Sequence, residues 1–298
     1  MRHSTRAGRG PRQRPIQRPR QQKRTFHEAD HGGPPNPEDW WQNPRDNRLH
    51  NVAVILVEPA RPENVGAAAR AMKTMGLSRL IVVGAGVWRS GKARALAVGA
   101  GDILEAVEEY ATLSEAVAQM KAVAVTTARR RRRARPVFPV ESTVPHLLGV
   151  AEHGPVGVVF GREEWGLTGE ELLVGDWWMT IPMATAYPSL NLAQSVMLVS
   201  RELARAARGP LPRYPWEPAD RGERVRVLDH ATRTMEQAGL IFRPDETGFK
   251  STLGRLMDRG LMEEQDVKVM HMVFHQMDTY MHRYRLQNEQ TKQKDRDS

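Results

Sequence analysis

The chain has 298 residues, of which 40% are hydrophobic, 27% charged and none cysteine, and its formal net charge is +9. That composition can build one large or two small packed domains. The missing cysteines exclude a disulfide scaffold, a thiolate nucleophile and a cysteine-ligated zinc site. No apolar run reaches membrane-spanning length, and the arginine-rich start lacks the apolar segment of a secretory signal, so a cytoplasmic protein is expected.

Residues 1–24 carry nine Lys or Arg and no acid, which leaves 35 basic against 35 acidic residues in the remainder. The charge excess therefore belongs to a leader, residues 1–48, rich in Arg, Gln, Pro and Gly and without apolar periodicity. It is expected to be disordered. Such a leader suits nonspecific attraction to phosphates and equally suits a solvated segment with no specific role.

A domain is expected over residues 49–208. Val52-Ala-Val-Ile-Leu-Val57 is a nearly continuous apolar run, the mark of a strand buried on both faces. Similar runs follow at Leu80–Val83, Ala122–Val125, Val156–Phe160 and Trp177–Ile181, and helical patterns lie between them at Val65–Met75, Arg94–Ala100, Leu113–Met120 and Thr143–Ala151. A longer amphipathic helix spans Leu190–Ala207. Strand and helix in alternation predict an α/β fold, a mostly parallel sheet with helices on both faces. Residues 209–222 contain four prolines and read as an extended linker. Helical patterns at Glu223–Ala238, Gly248–Asp258 and Glu263–Arg285 predict a small all-helical extension over 223–286, and 287–298 read as a polar, frayed tail.

Three segments carry chemistry. The first is Asn64-Val-Gly-Ala-Ala-Ala-Arg70, after the first strand. A polar residue and a glycine there suit close approach to a ligand, and Arg70 suits a phosphate or carboxylate. An N-cap asparagine with a surface arginine accounts for the same residues. The second is Phe160-Gly-Arg-Glu163-Glu-Trp-Gly166-Leu-Thr168, a strand end followed by acids and by Thr168 as an N-cap. Strand ends are where open α/β sheets bind ligands; an ordinary turn with a capped helix is the alternative. The third is Ile181-Pro-Met183 through Pro188-Ser189-Leu190-Asn191, a strand running through a loop into a helix start whose N–H groups can hold a ligand. Ser189 and Asn191 equally serve as simple caps.

In this order and at these strand ends, the three segments resemble the SpoU family of the SPOUT superfamily, from about Asn51 to Ala207. Gly66–Gly76, Ala238-Gly-Leu-Ile-Phe242 and Leu253-Gly-Arg-Leu-Met257 resemble a bacterial branch of that family acting on tRNA. The resemblance implies a SPOUT-type sheet with a deep C-terminal trefoil knot and a homodimer whose active site is completed across the interface. It implies S-adenosylmethionine as methyl donor, held on Thr126, Thr127 and Ala128, on Phe160, Gly161 and Glu163, on Ile181 and Met183, and on Pro188, Ser189 and Leu190. Asn64, Arg70, Glu163, Ser189 and Asn191 match the family's polar catalytic positions. The implied reaction is methylation of a ribose 2′-hydroxyl at cytidine or uridine 32 of the tRNA anticodon loop, without a metal. Arginine stays protonated in proteins, so Arg70 is assigned first to positioning a phosphate and stabilising the developing alkoxide, with base catalysis helped by an RNA phosphate as the alternative. Pro188 departs from the branch, which often has serine there. A sibling enzyme for another tRNA site or ribosomal RNA, and a noncatalytic RNA-binding protein on the same fold, are the competing readings.

Arg129, Arg130, Arg131, Arg132 and Arg133, with Arg135, follow the expected donor loop and read as an RNA-facing edge. Gly86-Val-Trp-Arg-Ser-Gly91-Lys92 has Walker A spacing but places Ala93 where a magnesium-binding hydroxyl belongs. His271 and His275 share a helix face without a third metal ligand, so packing is the expected role. The methionines of the extension are likewise assigned to packing.

Overall fold

The computed structural model describes residues 47–84, 86–128, 135–184, 190–240, 246–257 and 260–297. Residues 1–46 of the basic leader, Arg129–Arg133, Pro188 and Ser189 lie outside them, so the expectations placed on those residues are not addressed; Asn47 and Arg48, expected to be disordered, open a 3-10 helix over Asn47–Asn51.

Among the described residues seven strands form one sheet: β1 (Val52–Val57), β2 (Arg79–Val83), β3 (Glu108–Tyr110), β4 (Ala122–Thr126), β5 (Val137–Pro139), β6 (Val156–Phe160) and β7 (Trp177–Thr180). Their order is β3-β2-β1-β6-β4-β7-β5, and every neighbouring pair is parallel. The five apolar runs are five of these strands. The other two, β3 and β5, were not foreseen. Each has three residues, lies at an edge and contains glutamates or a proline, the features that blunt exposed edges and erase the apolar signal.

All six residues of β1 are buried. Val52, Val54 and Leu56 face one apolar cluster, and Ala53, Ile55 and Val57 face the other. Burial of both faces explains the unbroken apolar run. The first cluster is closed by α1 (Pro62–Thr74), α5 (Val140–Val150) and α7 (Leu192–Ala206), and the second by α4 (Leu113–Val117) and α6 (Gly169–Leu173). The expected helix at Arg94–Ala100 is instead two short ones, α2 (Gly91–Leu96) and α3 (Gly101–Glu105), because Gly99 between them is left-handed at φ +75°.

Helices α8 (Arg221–Gln237), α9 (Glu246–Met257) and α10 (Glu264–Asp297) form the extension around a small core of Ala219, Val227, Ala231, Val267 and Phe274. Helix α10 continues through 287–297, which the sequence assigns to a frayed tail. The linker is strapped down rather than free. Lys121, just before β4, forms ion pairs with Glu217, Asp220 and Glu264 at 3.1–3.2 Å. Burial opposes its charge, but the three carboxylates more than offset this and raise its pKa. Asp176, buried before β7, accepts from the Val123 N–H and pairs with Arg224 and Arg221 of α8. Burial pushes the Asp176 carboxyl up, and the two guanidiniums outweigh it, leaving the pKa below the usual value.

Candidate active site at the carboxyl ends of the strands

The chain lays down β2 and β3 on one side of β1 and the remaining strands on the other, with β6 next to β1. The crevice at such a reversal is where a parallel sheet offers a site. The loop after β1 and the loop after β6 meet there.

The β1 loop turns on Glu58, whose φ of 42° is the one left-handed non-glycine backbone among the described residues. A conformation of that kind typically costs ~1–3 kcal/mol and persists because its surroundings hold it. Here the Glu58 N–H donates to the Val83 carbonyl at 2.8 Å, and its carboxylate accepts from Arg162 Nε at 2.7 Å. Arg162 also makes a two-pronged pair with Glu171 at 2.9 and 3.0 Å and lies 4.1 Å over the Trp165 ring. Burial opposes the Arg162 charge, but Glu58 and Glu171 hold it firmly protonated. Glu171 is placed by a capping box with Thr168, the N-cap expected from sequence.

The next residue, Glu163, grips the same loop from its other side. Its carboxylate accepts from the Ala60 N–H at 2.9 Å, the Arg61 N–H at 3.2 Å and Asn64 Nδ2 at 2.8 Å. Burial raises its pKa, and the Ala60 N–H, the Asn64 amide and the other N–H donors more than reverse this, so Glu163 stays ionised below the usual glutamate range. Asn64 Oδ1 in turn accepts from Asn191 Nδ2 at 2.8 Å. Asn191 caps α7, its Oδ1 accepting from the Ala193 N–H at 2.8 Å, and completes a capping box with Gln194. Glu163, Asn64 and Asn191, residues from three separate segments, thus form one continuous network. Asn64 is the third residue of α1, behind Pro62, and is not an N-cap.

Two glycines are dictated by packing. A Cβ on Gly161 would lie 2.3 Å from the Gly166 carbonyl carbon, inside the small loop closed by Arg162 and Gly166. A Cβ on Gly66 would lie 2.0 Å from the Ala93 carbonyl oxygen. Gly66 therefore serves the contact of α1 with α2, not the approach of a ligand.

The expected donor residues sit on three neighbouring strand ends, because β6, β4 and β7 are adjacent in the sheet. Thr126 Oγ1 donates to the Val159 carbonyl at 2.9 Å and the Thr127 N–H to the Met179 carbonyl at 2.9 Å, which ties the three ends together. Phe160 is core. Thr127, Gly161, Ile181, Met183 and Leu190 are partly exposed and Ala128 is exposed.

Arg70 stands apart. Six helical residues turn the chain through about 600°, so Arg70 lies about 120° around α1 from Asn64. It is exposed, and its guanidinium has no hydrogen bond or ion pair among the described residues. Arg135 is partly exposed and donates to the Gly175 carbonyl at 2.9 Å, which anchors the edge of the sheet. The Walker-like stretch is a short 3-10 turn at Val87–Arg89 followed by a Ser90 cap, and Lys92 pairs with Glu63 at 3.3 Å. Among the described residues no three His, Asp or Glu gather into a metal-holding group, and no helix is long and apolar enough to cross a membrane. His271 contacts His230 at 2.9 Å, while His275 is exposed. The Glu58–Arg162–Glu171 brace escaped sequence reasoning; only the Thr168-x-x-Glu171 spacing hinted at it.

Residues 51–200 match the SpoU rRNA Methylase family. The chain is 34% identical over 231 residues to the tRNA (cytidine/uridine-2′-O-)-methyltransferase TrmJ of Yersinia pestis, covering 74% of this chain and 89% of that protein. It is 33% identical to the uncharacterized tRNA/rRNA methyltransferase LasT of Escherichia coli, covering 76% and 97%. The crystal structure of TrmJ from Z. mobilis superposes with a TM-score of 0.65 at 30% identity, covering 76% of this chain and 98% of that one. With half its length matched by the family profile and its strand-end network in the same segment, this chain belongs to the SpoU methylase family.

Proposed function

We propose that this protein is an S-adenosylmethionine-dependent tRNA 2′-O-ribose methyltransferase acting on cytidine or uridine, at nucleotide 32 of the anticodon loop. The observation that carries the reading is the Glu163–Asn64–Asn191 network beside three adjacent strand ends, in a chain 34% identical to TrmJ. Nucleotide 32 rests on the resemblance to that branch.

The residues fit the donor. Ile181, Met183 and Leu190 offer partly exposed apolar surface above a buried sheet, suited to a purine ring, and the ionised Glu163 suits a nearby cationic sulfonium. When bound, S-adenosylmethionine would supply an electrophilic methyl group to the ribose 2′-oxygen, with S-adenosylhomocysteine leaving and the hydroxyl proton passing to an RNA phosphate or to solvent. The protein's contribution is alignment and electrostatics. Glu163 and Asn64 hold the loop after β1, and Asn191 fixes the start of α7 to the same point. Arg70, exposed and without a partner among the described residues, is assigned to a substrate phosphate and to the negative charge developing on the 2′-oxygen. Its distance from the network around the helix accords with a homodimer in which each copy completes the other's site.

Unmodified tRNA, incubated with the protein and S-adenosylmethionine and digested for mass spectrometry of mapped nucleosides, tests the reading. A 2′-O-methyl pyrimidine at nucleotide 32 is expected. A mark elsewhere in tRNA or only in ribosomal RNA would overturn the substrate assignment. No transfer to any RNA would overturn the enzymatic one.

A further inference from the structure

Helix α10 carries two exposed tyrosines one turn apart, Tyr280 at 71% and Tyr284 at 56% exposure. Their rings are nearly parallel, 12° between planes, with centroids 6.4 Å apart. Isolated apolar side chains on a surface need no explanation; two large rings this exposed on one turn form an aromatic patch open to a partner. A centroid separation of 6.4 Å is that of an offset-stacked pair, so the two rings together present an extended aromatic face to solvent. At 100° per residue, Gln276, Tyr280, Arg283 and Tyr284 share one stripe of α10. Between Gln276 and Gln287 no carboxylate lies on it. Asp278, the nearest acid, faces α8, where it accepts from Thr234 and contacts His230. Arg283 is exposed and has no ion-pair partner among the described residues. Parallel aromatic faces beside an uncompensated guanidinium have the composition of a single-strand nucleic-acid platform.

We propose that an unpaired nucleobase of the RNA substrate stacks on the exposed Tyr280–Tyr284 pair, with Arg283 on the adjoining phosphate. This rests on the RNA-methylating function proposed above. The stripe continues along α10 to the exposed Val269 and Val273, so a second copy of the chain is the competing occupant. Around the tyrosines, the exposed aromatic faces beside Arg283, with no acid on that part of the stripe, favour a base.

The test uses the full-length protein and an unmodified tRNA transcript with 2-aminopurine in an unpaired loop position. Tyr280→Ala/Tyr284→Ala introduces a strong helix former at exposed positions, so the fold should survive. The affinity for tRNA should fall on the order of five- to a hundredfold. The quenching of 2-aminopurine on binding should be lost, and the turnover at saturating tRNA and the binding of S-adenosylmethionine should be kept. Tyr280→Phe/Tyr284→Phe should restore both quenching and affinity. An affinity within twofold of wild type in the alanine pair would overturn the proposal, as would a change from dimer to monomer by sedimentation, which would assign the face to a second copy. If the unaltered protein neither binds nor methylates any RNA, the functional reading fails first, and the two failures are distinguishable.

Discussion

Replacing Glu163 with glutamine tests whether the strand-end network is functional or only structural. The carboxylate holds three donors, the N–H groups of Ala60 and Arg61 and the amide of Asn64. Hydrogen bonds to charged groups contribute ~1.5–3 kcal/mol, against ~0.5–1.5 for neutral ones. Removing the charge therefore weakens each by about 1 kcal/mol. A glutamine also has a single acceptor oxygen, so its NH2 must face either the Ala60 N–H or the Arg61 and Asn64 donors. The side chain is only partly buried, and water will recover some of that loss. The net loosening of the 58–64 segment is about 2–3 kcal/mol. Expressed as misalignment of the site, this corresponds to roughly a 30- to 150-fold fall in kcat/KM. Methyl transfer to unmodified tRNA and thermal unfolding should be measured together, and Tm should fall by no more than ~10 °C. Because the folded pKa of Glu163 is depressed, the clamp is complete above the ordinary glutamate range and is lost only as the pH falls through the folded value. The wild-type rate should show no Glu163 titration above about pH 5. Wild-type turnover in Glu163→Gln, with Ala60 and Asn64 still ordered, would refute the argument.

Asp176→Ala should destabilise the protein by about 3–5 kcal/mol, because it removes the carboxylate that compensates the buried Arg224 charge; an unchanged Tm would be incompatible with the strap between sheet and extension. The Asp176 carboxyl is also depressed, so its stabilisation is present above the unfolded value and disappears as the pH falls through the folded one, which acid titration of the wild type against Asp176→Asn should separate. Gly161→Ala forces the loop after β6 apart at a contact of 2.3 Å, and methyl transfer should be lost with a stability cost of ~1–3 kcal/mol; retained activity would show that this loop is not part of the site. Arg70→Ala should leave stability within ~0.5 kcal/mol while methyl transfer falls by about a hundredfold or more, and normal turnover would remove Arg70 from the mechanism.

Periodicity and strand-end chemistry made much of this protein legible before any coordinates. A strand buried on both faces must be apolar throughout, so β1, β2, β4, β6 and β7 announced themselves, and the alternating helices dictated a parallel sheet. The same rule hid β3 and β5, whose edge positions permit glutamate and proline. Asn64, Glu163 and Asn191 were recognisable as a set through the family resemblance. Their roles were not, because hydrogen bonds spanning 99 and 127 residues of sequence depend on which strands become neighbours. Sequence alone determined the chemistry available at each strand end and the hydrophobic faces that must be buried. The tertiary structure decided that Gly66 serves a helix contact, that Arg135 is tied to the Gly175 carbonyl, that Arg70 stands away from the network, and that the proline-rich linker is strapped down by Lys121 while Asp176 holds α8. Each of those outcomes is a matter of distance between segments far apart in the chain, and distance of that kind is set only when strands pair and helices pack.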